Sequence, residues 1–281
     1  MSGANEMSGA KVVPPGVDPT KPSAGRLYDY YLGGTEWFEV DRIAAEKVRA
    51  AAPYVEQAAW ANRGFLQRAA RWLAAEAGIR QLIDIGAGLP TRNNTHEAAQ
   101  SVAPDAKVVY VDNDPMVWRH GQALLVNVEN AVYIDGDLRD PDGVLNHPEL
   151  RKLLNLSQPV GLMLVAVVHF LSDEQDPWGV VKRYMDALPS GSYLAISHGT
   201  EDRNDVRVAN AVKNVYKNAT EQLYLRSYDE VKRLFEGLEL VPPYEGAKPD
   251  LTYLGLWGAE DPELADTEES RWGYCGVARK P

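Results

Sequence analysis

The sequence predicts an α/β fold in which helices cover both faces of a mostly parallel β-sheet. Short apolar runs alternate with helical patterns from residue 79 onward, which is typical of consecutive βαβ units. The most apolar stretch, Val160–Val168, is far too short to span a bilayer and fits a buried strand. Two terminal runs, Leu251–Trp257 and Arg271–Ala278, are joined by an acidic loop without a helical pattern and should pair antiparallel.

Five apolar runs predict the parallel strands, at Gln81–Ile85, Lys107–Val111, Ala131–Ile134, Val160–Val165 and Tyr193–Ser197. Helical patterns lie between these runs, at Asn94–Ser101, Pro115–Val126, Pro148–Leu153 and Pro177–Leu188. A last helix is predicted to begin at Ser227, because Glu230 three residues later completes a capping box.

The chain divides into three segments. Residues 1–22 contain four prolines and few apolar residues, which predicts a flexible tail. Residues 23–78 carry two helical stripes, Glu39–Ala52 and Tyr54–Ala77, which predict an N-terminal helical cap. Residues 79–281 form the sheet domain.

Composition restricts the partners. The 281 residues are 45% hydrophobic and 25% charged, as in ordinary globular proteins. The net charge is −11 and no basic run exceeds two residues, so we expect no nucleic acid and no membrane as a partner. The single cysteine, Cys275, cannot form an intramolecular disulfide, and the N-terminus lacks an apolar signal region, which favours a cytoplasmic protein. The composition is compatible with a monomer and with a homo-oligomer.

A glycine turn follows the first predicted strand. The strand runs into Gly86, Ala87 and Gly88, and a helix with Asn94 as its N-cap begins a few residues later. Glycines at such a turn let a ligand approach the backbone where a Cβ atom would block it. In an open α/β sheet, this is the edge at which ligands bind.

Acidic residues end the next two strands. Asp112 lies 24 positions after Gly88 and can accept both hydroxyls of a ribose, or it can begin a turn with Asn113. Asp137 can bond an adenine amine with Leu138 against the ring, or it can cap the following turn. In this order along the chain, the three features predict an adenosine-bearing ligand.

The loop chemistry favours an adenosine ligand without phosphates. A dinucleotide turn needs a third glycine, and Thr91 occupies that position. No Walker A lysine motif follows either. Asp84 lies below the turn, and S-adenosylmethionine fits because its amino-acid end carries an ammonium beside the sulfonium. An NAD-dependent oxidoreductase remains the alternative.

These motifs resemble those of class I methyltransferases: the segment from Asp84 to Gly88 resembles motif I, Asp112 motif II, and Asp137 with Leu138 motif III. More specifically, the chain resembles the actinobacterial S-adenosylmethionine-dependent methyltransferase family known as the DUF574 group. The segments that carry this resemblance are 18–34, 61–66, 88–91, 94–97 and 110–115.

The resemblance implies a Rossmann-like sheet of seven strands in the order 3-2-1-4-5-7-6, with strand 7 antiparallel. It also implies S-adenosylmethionine as cofactor and S-adenosylhomocysteine as product.

The tyrosine-rich segment before the sheet resembles the lids of similar methyltransferases. Tyr28 and Tyr31 can lie near the sulfonium, whose charge is attracted by an aromatic face, or they can simply pack the cap on the sheet. Gly33 would allow a hinge. Arg63 can reach the cofactor carboxylate, or it can be a surface charge on the long helix.

The end of the fourth strand, from Ala166 to Phe170, lacks the Asn/Asp-Pro-Pro-aromatic motif of enzymes that methylate base amines. Cys275 lies in the last strand, so cytosine C5 chemistry is also excluded. His169 should face the methyl acceptor and can act as a general base, bond the cofactor or cap the loop. The remaining histidines have no compact spacing, so no metal site is expected.

We therefore expect methyl transfer from S-adenosylmethionine to an unidentified acceptor, most readily a small molecule. The alternative is a non-catalytic S-adenosylmethionine-binding protein on a methyltransferase scaffold. The candidate catalytic residue is His169. The candidate cofactor-binding residues are Tyr28, Tyr31, Gly33, Arg63, Asp84, Gly86, Ala87, Gly88, Asn94, Asp112, Asn113, Asp137, Leu138, Ala166 and His169.

Overall fold

A computed structural model describes residues 13–91, 93–202 and 206–281. Within these residues, an α/β sheet of eight strands forms the centre of the fold. The strands are β1 (Gln81–Ile85), β2 (Lys107–Asp112), β3 (Ala131–Asp135), β4 (Gly161–Val165), β5 (Tyr193–Gly199), β6 (Glu239–Leu240), β7 (Thr252–Tyr253) and β8 (Gly273–Arg279).

The strand order is β3-β2-β1-β4-β5-β8-β6, and β7 also pairs with β8. Strands β1 to β5 are parallel, and β8 runs antiparallel to β5. The mostly parallel Rossmann-like sheet expected from the sequence is therefore confirmed. All five parallel strands lie where the apolar runs predict them.

The seventh position of the sheet, at the edge beside β8, differs from the expectation of seven strands. Two short strands share it, because β7 pairs with the first part of β8 and β6 pairs with the last part. The predicted strand Leu251–Trp257 contributes only Thr252 and Tyr253 to the ladder before the chain turns. The sequence analysis missed β6, which ends just before Pro242 and Pro243, residues that cannot donate to a ladder.

Eleven α-helices surround the sheet in the described residues. They are α1 (Ala24–Tyr31), α2 (Glu39–Ala51), α3 (Val55–Ala75), α4 (Thr95–Gln100), α5 (Pro115–Leu124), α6 (Pro141–Leu145), α7 (Pro148–Leu153), α8 (Pro177–Ala187), α9 (Val206–Tyr216), α10 (Tyr228–Arg233) and α11 (Pro262–Ala265). The predicted capping boxes hold, because Glu97 accepts the Asn94 N–H at 2.6 Å and Glu230 accepts the Ser227 N–H at 2.9 Å.

Alternate residues of the strands enter two separate cores, as a pleated sheet requires. Ile83 and Val109 pack on one face against α6, α7, α8 and α10. Leu82 and Val108 pack on the other face against α3, α4 and α5. Burial on both faces explains why these strands read as continuous apolar runs.

A third apolar cluster lies outside the sheet. Leu27 and Tyr31 of α1 and Val48 of α2 pack there with Val212 and Tyr216 of α9. The sequence analysis assigned no element to residues 206–216. The helical cap is therefore held partly by α9, a helix from the distant second half of the chain.

The N-terminal segment runs along the carboxyl edge of the sheet. Residues 1–12 of the expected flexible tail lie outside the described residues, whereas residues 13–22 contact the fold. The Thr220 N–H donates to the Pro22 carbonyl at 2.8 Å, and the Ser23 hydroxyl donates to Asp114 at 2.9 Å. Residues 13–23 are here called the N-terminal strap. Buried Arg26 and Asp41 of the cap form an ion pair at 2.7 Å, and both hold the strap, because Arg26 donates to the Lys21 carbonyl at 2.6 Å and Asp41 accepts the Ser23 N–H at 2.9 Å. Within the described residues, no helix combines the length and apolar character needed to cross a membrane.

Candidate active site

A cavity of about 490 Å³ opens at the carboxyl ends of β1 to β5. The strap, the cap and α9 form its other walls. All but two of the predicted binding residues line it, namely Tyr28, Tyr31, Arg63, Asp84, Gly86, Ala87, Gly88, Asp112, Asn113, Asp137, Leu138, Ala166 and His169.

Gly33 and Asn94 do not line the cavity. Gly33 has a φ of +77° and follows the end of α1, where its N–H donates to the Tyr30 carbonyl. Asn94 is buried behind the glycine turn, and its side-chain oxygen accepts hydrogen bonds from Thr91 and Arg63 at 3.0 Å each. Asn94 therefore reaches the cavity only through Arg63, which is 6% exposed and so is not a surface charge.

The two glycines of the turn have different roles. Both have positive φ, +70° at Gly86 and +67° at Gly88. A Cβ atom on Gly86 would lie 2.2 Å from Val167, whereas one on Gly88 would meet nothing within 4 Å. Gly86 therefore lets the turn pack closely on the segment after β4, and Gly88 leaves the backbone open on its cavity side.

Asp112 connects the end of β2 to this turn. Its carboxylate accepts the Gly88 N–H at 3.0 Å and the Asp114 N–H at 3.0 Å, so it also forms the turn considered in the sequence analysis. Burial raises the pKa of Asp112 to about 6, although the two backbone hydrogen bonds oppose the shift. Because burial penalises the charged carboxylate, additional hydrogen bonds from the hydroxyl groups of a ligand would stabilise it.

Asp84 lies beneath the turn and is 2% exposed. The Thr95 hydroxyl donates to it at 2.5 Å. Burial raises the pKa of Asp84 to about 6, while the Thr95 hydrogen bond and the nearby Arg63 charge lower it. Two carboxylates with raised pKa values therefore lie at the ends of adjacent strands.

Asp137 and Leu138 follow β3. Burial raises the pKa of Asp137, but hydrogen bonds from Arg139 at 2.7 to 2.8 Å outweigh it and bring the pKa below the ordinary value. Asp137 therefore caps the turn and also faces the cavity, where the Asn113 amide approaches it at 3.4 Å. Leu138 supplies an apolar wall and is 6% exposed.

A series of hydrogen bonds holds Ala166, the first residue after β4, in place. Ala166 has a φ of +56°, and its N–H donates to the Ser197 hydroxyl at 2.9 Å. That hydroxyl donates to the Asn62 side chain at 2.5 Å, and the Asn62 amide donates to the Tyr28 hydroxyl at 2.8 Å. Tyr28 in turn donates to the Ala59 carbonyl at 3.1 Å. The Tyr28 hydroxyl is thus occupied, while its ring still lines the cavity.

His198 receives a hydrogen bond whose direction is fixed by chemistry. Arg226 Nη1 lies 3.1 Å from His198 Nε2, and a guanidinium can only donate. Burial lowers the pKa of His198 to about 3, so the ring is neutral and its proton is on Nδ1. Nδ1 lies 2.8 Å from the Gly199 carbonyl, the acceptor that this tautomer requires.

Gly199 also forms a hydrogen bond with His169. The Gly199 N–H donates to His169 Nδ1 at 3.2 Å, so that nitrogen is an acceptor. Burial, with smaller contributions from His198 and Arg226, lowers the pKa of His169 well below its ordinary value. The neutral ring therefore carries its proton on Nε2, and the Gly199 N–H, a backbone group that can only donate, sets the His169 tautomer.

Sequence reasoning missed several residues of the cavity. Asn62 and Ser197 lie 135 positions apart, and neither belongs to a spaced motif. Phe170, Tyr216 and Trp272 also line the wall, and no local pattern marks them. The strap could have been found, because its segment from Asp18 is part of the family resemblance. In the described part of the chain, no group of three or more potential ligands is placed to hold a metal ion.

The residues fit an adenosine-bearing ligand. The open side of Gly88, the Asp112 carboxylate and the apolar face of Leu138 line one continuous cavity at successive strand ends. A cavity of this size lies within the range of small-molecule sites, roughly 300–1,000 Å³.

Comparison with known proteins identifies the ligand. The sequence profile of the family described as S-adenosyl methyltransferase matches residues 10–281. The chain belongs to this S-adenosyl methyltransferase family. A search of curated proteins found no match.

Two solved structures are similar to this S-adenosyl methyltransferase over nearly its whole length. A candidate methyltransferase from Thermobifida fusca YX is 40% identical, with a TM-score of 0.86 over 95% of this chain and 98% of that one. A DUF574 family protein from Streptomyces avermitilis MA-4680 is 41% identical, with a TM-score of 0.86 over 93% of this chain and 98% of that one. The expected family and its cofactor, S-adenosylmethionine, are confirmed, and the NAD-dependent alternative is not supported.

Proposed function

We propose that this S-adenosyl methyltransferase methylates a small molecule that binds beside the cofactor in the same cavity. One observation carries the proposal: the predicted cofactor residues and the apolar cluster of the cap line a single cavity. The strap and the cap cover that cavity, which disfavours entry of a folded protein or a duplex. The net charge of −11 also disfavours a polyanionic acceptor.

The cofactor-binding roles form part of the proposal. Asp112 accepts the ribose hydroxyls, Asp137 and Leu138 hold the adenine, and the backbone from Gly86 to Gly88 lies against the amino-acid end. When bound, S-adenosylmethionine would supply an electrophilic methyl group to a lone pair of the acceptor, and its sulfur would keep the electron pair of the bond to that methyl group. The chain itself positions the two molecules and excludes bulk water.

The role of His169 follows from its tautomer. A general base needs a free lone pair, but Nδ1 already accepts the Gly199 N–H and Nε2 carries the proton. The general-base role considered from the sequence stays a prediction. The hydrogen bonds favour a different role, in which neutral His169 donates its Nε2–H to a bound molecule.

Radiolabelled methyl transfer tests the acceptor class. Purified protein is incubated with methyl-labelled cofactor and a fractionated cell extract, with an Asp112→Asn variant as the negative control. We expect label in low-molecular-mass organic fractions. Label confined to protein, RNA or DNA would contradict the small-molecule proposal.

The cytoplasmic location and self-association stay predictions. Light scattering on the eluting protein measures the oligomeric state, and fractionation of the native host measures the location.

A further inference from the structure

One part of the cavity is separate from the proposed cofactor positions. Tyr31 of α1, Val48 of α2, Val212 and Tyr216 of α9, Phe170 and Trp272 line the cavity and pack in or against the third apolar cluster. We call these six residues the cap compartment. His169 borders it, because its ring centroid lies 4.5 Å from that of Phe170, which lies 6.1 Å from Tyr216.

Charged groups are confined to the other side of the cavity. The carboxylates among the described lining residues are on the strap, at the ends of β1 to β3 and at one site after α9, namely Asp18, Asp84, Asp112, Asp114, Asp137 and Glu221. Glu221 lies 3.6 Å from Arg139, and so belongs with Asp137 on the predicted adenine side.

The guanidinium groups lining the cavity bind other partners. Arg26 is paired with Asp41, Arg63 holds the loop after β1 and Arg139 binds Asp137. A charged molecule in the cap compartment would therefore lose water without gaining a counter-charge from the described residues that line it, which strongly disfavours it.

One hydrogen-bond donor borders this apolar compartment. His169 Nε2 carries a proton and has no partner among the described residues. The Tyr31 hydroxyl is closed off from the cavity and lies near Tyr216, so a ligand does not reach it. Buried polar groups are normally hydrogen-bonded, so the His169 Nε2–H indicates the place of an acceptor atom on the ligand.

We propose that the methyl acceptor is an uncharged, mainly apolar molecule that binds in the cap compartment and presents an oxygen or nitrogen to His169 Nε2–H. This inference rests on the proposed function, in which a small-molecule acceptor shares the cavity with the cofactor. It adds the charge, the polarity and the anchoring atoms of that acceptor.

A set of probes with one shape and different charge tests the inference. The neutral ketone 2-acetylnaphthalene, the isosteric anion 2-naphthoate and the cation 2-naphthylmethylammonium are titrated into protein saturated with S-adenosylhomocysteine, and binding is read from tryptophan fluorescence. We expect the ketone to bind at least about tenfold tighter than either ion, since an unpaired ion is poorly tolerated in an apolar site. Equal or tighter binding of an ion overturns the inference.

Matched variants locate the binding site. Val212→Trp fills the compartment and should abolish ketone binding, while Val206→Trp makes the same change at a 70% exposed position of the same helix and should not. Ala209→Leu, a smaller change at a lining residue of α9, gives the same test if Val212→Trp does not fold. Ketone binding that survives both filling variants excludes the cap compartment.

His169→Phe tests this donor. It should weaken the ketone about 5- to 10-fold while affecting 2-ethylnaphthalene, which cannot accept a hydrogen bond, by less than twofold. Equal effects on both probes overturn the anchoring role. Calorimetric titration with S-adenosylhomocysteine separates this inference from the proposed function. Normal cofactor binding with no preference for the ketone rejects only the uncharged, apolar acceptor class. Label on a macromolecule in the transfer assay rejects the small-molecule function.

Discussion

The backbone N–H of Gly88 donates a 3.0 Å hydrogen bond to the carboxylate of Asp112, and this bond joins the ends of two neighbouring strands at the cavity. It places the glycine turn and the proposed ribose acceptor in one rigid unit. We expect Asp112→Asn to weaken S-adenosylhomocysteine binding about 10- to 100-fold, since an amide offers one acceptor atom where the carboxylate offers two. Isothermal titration calorimetry measures the change.

The control for this variant is Asp135→Asn. Asp135 is an exposed carboxylate at the end of the adjacent strand β3. Its replacement should leave the affinity within about twofold. Asp112→Asn protein that binds the ligand as tightly as this control would contradict the assignment.

The raised pKa of Asp84 makes a prediction about stability. Burial raises the pKa of Asp84 to about 6 from an ordinary 3.8, so its contribution to stability is fully present below pH 3.8 and is lost as the pH rises through 6. Asp84→Asn keeps an acceptor for Thr95 without the charge. We therefore expect its stability relative to the native protein to increase by about 1 kcal/mol between about pH 5 and pH 8.

Urea unfolding of the cofactor-free protein at the two pH values measures this difference. Asp135→Asn, the same replacement at an exposed carboxylate of β3, is again the matched control. If the free energies of unfolding of the native protein and of Asp84→Asn instead change in parallel with pH, burial does not penalise the charged form of Asp84.

The two glycines of the turn should separate folding from binding. Gly86→Ala would place a Cβ 2.2 Å from Val167 in a left-handed backbone conformation, so we expect a loss of several kcal/mol in stability. Gly88→Ala has the same backbone strain, about 1 kcal/mol, but no clash. Its main effect should be loss of S-adenosylhomocysteine binding, because its Cβ projects into open space at the cavity. Thermal melts with and without ligand distinguish the two variants, and a Gly88→Ala protein that binds normally would exclude close backbone approach.

The backbone hydrogen bond from Gly199 predicts the His169 tautomer. Long-range proton–nitrogen NMR of the labelled protein should show Nε2 protonated and Nδ1 unprotonated in His169. His198→Asn should preserve this spectrum, because the Gly199 N–H is a backbone donor that the substitution does not remove. A tautomer mixture in the native protein would show that the Gly199 N–H does not orient His169.

The ion pair of Arg26 and Asp41 predicts the cost of releasing the strap. Asp41→Ala leaves the Arg26 charge buried without its partner and removes the acceptor of the Ser23 N–H, so we expect about 3–5 kcal/mol of destabilisation. Glu46→Ala, which breaks an exposed i,i+4 pair with Arg42, should cost less than about 0.5 kcal/mol. Chemical denaturation of both variants measures the difference, and similar losses would mean that the buried pair does not anchor the strap.

The sequence by itself determined the parts of this protein that depend on short spacings. The strands β1 to β5, the capping box of Asn94 and Glu97, and the order of Gly88, Asp112 and Asp137 all follow from local patterns, because strand burial, helix capping and glycine turns involve residues close in the chain. The same patterns carried the family resemblance. They could not show that two short strands share the seventh position of the sheet, at the edge beside β8.

Only the tertiary structure decided what surrounds the proposed methyl acceptor. Asn62 meets Ser197 across 135 positions, Tyr31 packs with Tyr216 of an unpredicted helix, and Arg226 reaches His169 through His198. These contacts join residues from separate elements, and their distances are set by how the cap and α9 pack on the sheet. No local period in the chain encodes that packing, so the sequence predicted the residues of the proposed cofactor side of the cavity but not those of the proposed acceptor side.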